Sequence, residues 1–472
     1  MTISTKKKYI ILVCTIAALG GLLFGLDQGF INTALPLIQS QLHLNAKQAS
    51  NFSAILLWGA IVGSLLSGIV SRILGRRNTL LATAILFSLC AGASMLTTHM
   101  TLLMTYRFIL GVSVGVASFA APLYLSEAAP TKWRGAFVSM YQLMITVGIF
   151  AIFVSNSIIS HHFHRWQPMF YAILIPAIIM IIGLFVIPKT PRWLMLKGKN
   201  RAALITLRNI RLSNKEAHRE FRDIESTVNA KDRQNFFQSL KSSVFFKVLL
   251  LGVTIQIFQQ LTGINAVIYY STSIFLDAGV HDPMLATAIV GLVNMTTTIL
   301  AVSFVDKLGR KPILYAGYSL MAAMLFIGAL IFHHEAIMSG ALSTMLKAIL
   351  VAATVVFIFS FAFSAGPIAW LLCSEIFPLD LKECGMTITT SANWLIAALV
   401  VNFTLPFMQY ANGKPNPGGG AYVFLFFALA CVAFLFVLKF FIPETNNVAL
   451  EQIEKNLYDG KALRHLGKSD QH

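Results

Sequence analysis

Twelve apolar runs of roughly 20 residues or more recur along this chain, and a run of about 20 is what a helix needs to cross the hydrocarbon core of a bilayer. They lie near 9–37, 51–71, 79–98, 101–126, 136–158, 168–187, 246–276, 284–305, 312–333, 343–374, 384–410 and 420–442. A soluble globular chain carries about a quarter charged residues; here 12% are charged and 56% hydrophobic. The short alternating segments of a membrane β-barrel are absent. The expected fold class is therefore an all-α polytopic membrane protein with twelve transmembrane helices. The first run follows Lys6, Lys7 and Lys8. It is too long for a signal-peptide core and lacks a small-residue cleavage site, so it reads as a retained helix.

A net charge of +17 would suit a nucleic-acid partner, but the positions of the charges explain it without one. With the N-terminus inside, Lys6–Lys8, Arg72, Arg76, Arg77, Lys132, Arg134, Lys307, Arg310, Lys311 and Lys382 fall on one side, together with the basic segment 188–247. The opposite loops hold little beyond Lys47, Arg165, Lys347 and Lys414. That asymmetry is the positive-inside pattern and predicts both termini in the cytoplasm. The cysteines, Cys14, Cys90, Cys373, Cys384 and Cys431, form no CxxC pair and are expected as free thiols.

The only long polar interruption, from Pro188 to about Phe245, divides the spans six and six. Within it Leu204, Leu207, Ile210 and Leu212 recur among charges at roughly helical spacing, which predicts short amphipathic helices. The two halves then echo each other. RILGRR at 72–77 follows span two, and DKLGRK at 306–311 follows span eight. Glu127 ends span four with Arg134 seven residues on; Glu375 ends span ten with Lys382 at the same offset. PKTPRWL follows span six, and PETNNVAL follows span twelve. Each motif returns after an even number of spans, so the halves share one orientation, an arrangement of transporters with a substrate site between two repeats. Gly75, Arg76, Arg77, Glu127 and Arg134 in one half, and Asp306, Gly309, Arg310, Lys311, Glu375 and Lys382 in the other, form a candidate cytoplasmic gate network. Its ion pairs would hold the halves together in one state and break in another; a purely topological role stays open on spacing alone.

Asp27 is the only acidic residue deep within a predicted span, and Arg107 the only deep basic one. A charge there costs about 2.5–3.5 kcal/mol on insertion scales and usually marks function. At 1.5 Å per residue, Asp27 lies roughly 27 Å beyond Tyr9 and Arg107 roughly 30 Å from Glu127. The similar depths predict a pair, and glycines at 20, 21, 25 and 29 of span one and at 111 and 115 of span four would let the helices approach. A carboxyl that meets and leaves an arginine can release and take up a proton. A structural polar pair in a wet cleft is the alternative at this point.

Amides populate other spans: Gln142, Gln259, Gln260, Asn265, Asn294 and Asn393. Each can donate and accept, as a sugar hydroxyl does; interhelical glue is the competing use. Phe24, Tyr269, Tyr270, Trp370 and Trp394 could offer flat faces to the C–H surface of a sugar ring. Gly263, between Gln259 and Asn265, suggests a helix break that would help these amides converge. Gly366 and Pro367 in span ten form a candidate hinge, since proline removes a backbone donor. HHFH at 161–164 reads as a solvated loop, and no metal site is expected.

The set G-R-R/K after spans two and eight, Glu-x6-Arg/Lys, PxxPRWL, QQLTGINAVIYY and PET resembles the sugar porter family of the major facilitator superfamily, over nearly the whole chain. APLYLSE, SMYQLM and LEQIEKNLYDGKALRHLG bring it nearest to bacterial sugar/proton symporters of the galactose, arabinose and xylose type. The resemblance implies two parallel-related six-helix bundles, at 1–187 and 246–443, a cytoplasmic helical linker domain at 188–245 and a cytoplasmic tail at 444–472. It implies a sugar-binding set of Phe24, Gln142, Gln259, Gln260, Asn265, Tyr269, Asn294, Trp370, Asn393 and Trp394, with Asp27 and Arg107 in proton coupling. Departures fall in the charge network: Arg72 stands where the family often has Asp, Lys189 replaces Glu in PETPRWL, and Lys382 replaces Arg.

The expected function is a proton-coupled monosaccharide symporter of a bacterial inner membrane, monomeric, with no cofactor beyond the proton, no nucleic-acid partner and no enzyme activity. The sugar could be galactose, glucose, arabinose or xylose. A sugar uniporter is the alternative mechanism, and Asp27 argues against it. A non-transporting sugar sensor would want a long signalling tail, and a drug/proton antiporter fits the amides poorly.

Overall fold

Where the helices of this protein start, break and stop follows from individual residues. In a computed structural model, residues 3–130, 134–163, 165–229, 242–338, 343–378, 381–411, 414–415, 419–446, 448 and 450–467 are described. The N-terminal half contains α1 (Ile3–Leu42), α2 (Ala46–Leu74), α3 (Arg76–Met95), α4 (Met100–Ala128), α5 (Arg134–Phe163) and α6 (Tyr171–Val186). Three short helices follow: α7 (Pro191–Leu196), α8 (Asn200–Ile210) and α9 (Asn214–Asn229). The second half contains α10 (Ser243–Gln260), α11 (Ile264–Asp277), α12 (Pro283–Leu308), α13 (Arg310–Met338), α14 (Thr344–Phe363), α15 (Ala365–Ile376), α16 (Lys382–Gln409) and α17 (Gly419–Phe440); α18 (Leu450–Tyr458) and a 3-10 turn at Leu463–His465 follow. Among the described residues, twelve helical segments are long and apolar enough to cross a membrane, with α10–α11 and α14–α15 each counting as one.

Local chemistry sets the helix starts. Asn45 and Gln48 satisfy each other's backbone N–H groups ahead of α2, at 2.9 and 3.0 Å, a reciprocal capping box. Ser242, Asp282 and Ser343 cap α10, α12 and α14 by accepting from the N–H three residues on. Span seven breaks at Gly263, which takes the left-handed conformation at φ 83° and caps α11. Span ten breaks at Ser364 (φ −121°, ψ −87°), two residues before the glycine of the expected hinge. Gly366 and Pro367 therefore lie in the first turn of α15, and Pro367 offers no N–H to the carbonyl of Phe363.

Packing divides the chain into two units. The first is Met1–Asp27, Trp58–Ile152 and Gln167–Asn235; the second is Gln28–Leu57, Phe153–Trp166 and Phe236–His472. In the first unit, backbones cross at small residues. A methyl group on Gly25 would lie 2.0 Å from the carbonyl oxygen of Ile145 on α5, and one on Gly115 would lie 2.2 Å from that of Ala60 on α2. Span-one glycines 21 and 25 thus bring α1 against α5, and Gly20 lies against Ala121 of α4. At Asp27 itself the long side chain of Arg107 makes the link from α4 to α1.

The short helices α7–α9 belong to the first unit. Trp193, Leu194, Met195 and Ala203 form their core, with Phe221 and Ile224 packed on it. Polar ties fix them to the membrane helices: Trp193 Nε1 donates to Arg72 O at 3.1 Å, Tyr124 Oη to Pro188 O at 2.8 Å, and the fully buried Arg211 donates to Ala128 O at 2.7 Å. In the second unit, the rings of Tyr318 and Phe434 pack tilted by 36° with centroids 4.3 Å apart, and Phe258 packs on Phe434. The far ends of α1 and α2 also belong to this unit, through Asn32 on α11 and Ser50 on the backbone of α16 at Val401 and Asn402.

Candidate functional site

Asp27 and Arg107 are each fully enclosed, and the structure brings them together. The guanidinium donates side-on, Nη1 to Oδ1 at 3.5 Å and Nη2 to Oδ2 at 3.4 Å. Charge-assisted bonds of this type close to about 2.7–2.9 Å when tight. The pair is thus in register, with both bonds longer than that. Phe24 and Gln142 lie in the same unit, half-buried on α1 and α5.

The remaining amides gather in the second unit, where they bond to one another. Asn393 Nδ2 donates to Gln256 Oε1 at 2.7 Å and to Gln259 Oε1 at 2.6 Å. Gln260 Nε2 returns a bond to Asn393 Oδ1 at 2.9 Å, and Asn265 Nδ2 donates to Gln260 Oε1 at 2.7 Å. From α1, outside this amide chain, Gln28 Nε2 donates to Asn265 Oδ1 at 2.7 Å. The break at Gly263 is what allows Gln260 and Asn265, five positions apart and so off-face on a continuous helix, to meet. Gln259 also donates to the carbonyls of Ala365 and Gly366 at 3.2 and 3.4 Å, which ties the amide chain to the break in span ten. A connected set of carboxamides with spare lone pairs and N–H groups is chemically suited to a neutral polyol.

The aromatic residues divide. Tyr269 and Trp394 are buried and Trp370 is half-buried in the same unit, and Asn294 is buried on α12 outside the amide chain. Tyr270 is committed elsewhere: its hydroxyl donates to Val401 O at 2.8 Å, so it fastens α11 to α16.

The repeated motifs share one geometry. Gly75 and Gly309, at matching positions of the two G-R-R/K motifs, have nearly the same backbone, φ 83° and ψ 150° against φ 85° and ψ 157°; positive φ is a glycine conformation. Arg76 pairs with Glu127 at 2.9 Å, and Arg310 pairs with Glu375 at 3.0 Å. Thr445 donates to the other oxygen of Glu375. Arg77 instead donates to Leu184 O and Phe185 O at the end of α6. Each of the two ion pairs lies within one half, so neither joins the two halves as the expected gate network would; each braces its own half. Lys382 begins α16 half-buried; burial lowers its ammonium from the ordinary lysine range, and Glu375 opposes that shift. The side chains of Arg134 and Asp306 lie outside the described residues, as do those of His161 and His164 in the HHFH stretch.

Four polar residues of this arrangement escaped sequence reasoning. Gln28 and Asn32 sit in the same apolar run as Asp27 and carry the same signal, a polar group where lipid or helix should be. Gln256 is one helical turn before Gln260 and was legible from that spacing. Glu444, which accepts from Arg310 N at 3.0 Å and Lys311 N at 2.9 Å, was visible only as part of a motif. The five cysteines are free thiols. Among the described residues, no three His, Cys, Asp or Glu side chains are grouped to hold a metal ion.

Comparison with known proteins agrees with this architecture. The family model described as "Sugar (and other) transporter" matches residues 13–457. The galactose-proton symporter of Escherichia coli K12 is 39% identical over 469 residues, covering 99% of this chain and 98% of that protein. The arabinose-proton symporter of the same organism is 37% identical, covering 96% and 95%. The inward-open structure of the xylose transporter XylE from E. coli superposes with a TM-score of 0.80 at 28% identity, covering 95% of this chain and 99% of that one. With twelve segments long and apolar enough to cross a membrane among its described residues, the major facilitator fold and a match along nearly its entire length, this chain belongs to the sugar transporter family and is not an enzyme.

Proposed function

We propose that this protein imports a monosaccharide together with a proton across a bacterial inner membrane, by alternating access. The observation that carries the reading is the enclosed pair of Asp27 and Arg107. A carboxylate in a membrane interior is costly unless paired, so separating it from Arg107 favours its protonation, and re-forming the pair favours proton release. The amide chain from Asn393 to Asn265 would take the sugar, with Tyr269, Trp370 and Trp394 packing on its C–H faces. Hexoses and pentoses both fit this chemistry, in keeping with relatives described as galactose-, arabinose- and xylose-transporting. The excess of Lys and Arg in one set of loops supports cytoplasmic termini, and the charged clusters around Arg76–Glu127 and Arg310–Glu375 would then lie on the cytoplasmic side, each bracing its own half. The proton is taken as the coupling ion, without a further cofactor, and the working unit as a monomer.

The test is sugar-induced alkalinisation. De-energised cells in weakly buffered medium receive galactose, glucose, arabinose or xylose, with Asp27→Asn as control. A pH rise with one sugar, lost in the variant while labelled sugar still exchanges, is the expected result. Sugar entry with no proton movement would leave a uniporter.

A further inference from the structure

Asp27 and Gln28 are consecutive residues of α1 with different partners. The Asp27 carboxylate is held by Arg107, and Gln28 Nε2 donates to Asn265 Oδ1 at 2.7 Å. We propose that Gln28 is the positioning residue that couples sugar occupancy to the proton site, an inference that rests on the symport reading above.

Consecutive residues of an α-helix point about 100° apart. Asp27 and Gln28 therefore cannot share a partner, and α1 is the common rigid body to which both attachments are made. Turning or shifting α1 to relax one attachment strains the other. The far attachment is a member of the amide chain: Asn265 uses Oδ1 for Gln28 and Nδ2 for Gln260. A polyol that takes hydroxyl bonds from Asn265 competes with Gln28 for the same oxygen or reorients the carboxamide it holds. Either event changes the hold on α1 at the residue next to Asp27. Gln28 is itself buried, and an unmade bond there would leave an amide unsatisfied, which gives the contact two distinct states rather than a gradual one.

A role as interhelical glue alone would fix α1 without linking the two ligands. Linkage is what separates the readings: if proton and sugar each raise the other's binding, the coupling is reciprocal and is lost from both sides together.

The test uses the full-length protein in cells and in proteoliposomes, with Gln28→Met, an unbranched chain of similar volume that cannot make the amide bond, and Gln28→Leu as a second variant. Membrane-inserted amount is measured by fluorescence-detected chromatography. Two quantities are read with the sugar that gives the wild-type response: sugar counterflow, which needs no net proton movement, and protons taken up per sugar. The expected result is counterflow within about threefold of wild type and a proton-to-sugar ratio reduced at least fivefold. A wild-type ratio in an inserted variant would overturn the inference. Loss of counterflow in step with the ratio would also overturn it, because Gln28 would then be serving sugar binding itself. If the wild type moves sugar without protons, the symport reading fails first and takes this inference with it, and that outcome is visible before any variant is made.

Discussion

Glu444 caps the helix that Arg310 begins. Its two carboxylate oxygens accept from the backbone N–H groups of Arg310 and Lys311 at 3.0 and 2.9 Å, where the helix dipole favours a negative charge. The matching position of the first half is Lys189, in PKT against PET. There α3 begins without a side-chain cap, and Lys189 lies over the Trp193 ring at 5.3 Å instead. The asymmetry continues one residue on: Thr445 donates to Glu375, whereas Thr190 Oγ1 and Glu127 Oε2 are both buried with no partner among the described residues. The N-terminal network is thus the less complete of two copies of one design. Glu444→Ala is expected to cost about 2 kcal/mol, the sum of a lost cap and of charge-assisted bonds. Lys189→Glu is expected to gain up to about 1 kcal/mol. Thermal unfolding in detergent, followed by a thiol-reactive dye on the buried cysteines, checks the opposite signs; equal signs would mean the two halves are not equivalent at this point.

This also shows what was legible beforehand. The twelve spans, the repeat and the break at Gly263 follow from hydropathy, motif spacing and glycine placement, all one-dimensional signals. The break in span ten lies at Ser364, in the turn before Pro367, because the proline leaves the carbonyl of Phe363 without its helical donor; the close approach of a neighbouring helix at that point was not legible. A methyl on Gly317 of α13 would lie 1.9 Å from Ser364 Oγ, so the two helices meet there without room. The partners of the amides were equally invisible. That Asn265 meets Gln28, and that Tyr270 serves α16 rather than a ligand, depends on contacts between residues more than 100 positions apart.

Gly25 should tolerate nothing larger. A methyl group there would lie 2.0 Å from the carbonyl oxygen of Ile145, which is backbone and cannot rotate away. Gly25→Ala must push α1 from α5, at a cost expected to exceed the 1–3 kcal/mol of about one overpacked methylene in a core. Gly68 and Gly92 have nothing within 4 Å of the same added atom, so Gly68→Ala and Gly92→Ala should be neutral or stabilising by up to about 1 kcal/mol. Inserted protein and melting temperature for the three variants give the ranking directly. A Gly25 variant as stable as the other two would show that the α1–α5 crossing is wider than described.

The two members of the buried ion pair should differ in what their removal costs. A buried pair broken on one side leaves the other charge uncompensated, typically at 3–5 kcal/mol. A carboxyl can escape that cost by taking a proton; a guanidinium cannot. Asp27→Asn, which removes the charge that compensates the Arg107 guanidinium, is therefore expected to destabilise by about 3 kcal/mol, and Arg107→Gln by distinctly less, although both should abolish coupled uptake. Chemical denaturation in lipid–detergent bicelles would order the two. If Arg107→Gln proves the more damaging, the lost packing and bonds of the long side chain outweigh the relief open to the carboxyl.

Asn32 makes the tightest tie between α1 and α11. Its Nδ2 donates to Ile268 O at 2.6 Å and to Ser271 Oγ at 2.7 Å, and its Oδ1 accepts from Thr272 N at 2.8 Å. Residues 268 and 272 are the two ends of one helical turn, so a single carboxamide brackets that turn and fixes its register as well as its distance. Hydrogen bonds between membrane helices average about 0.6 kcal/mol each in double-mutant cycles. Losing the set in Asn32→Ala is then worth about 2 kcal/mol, or roughly thirtyfold in the ratio of open to closed forms at this end, since about 1.4 kcal/mol is tenfold. A cysteine at Ala34, fully enclosed two residues further along α1, reports on that opening. Its labelling by a membrane-impermeant maleimide should accelerate by about that factor in the Asn32→Ala background relative to Ala34→Cys alone. Unchanged labelling would mean that other contacts, such as Ser50 on the backbone of α16 or Tyr270 on Val401, hold this end closed without help from Asn32.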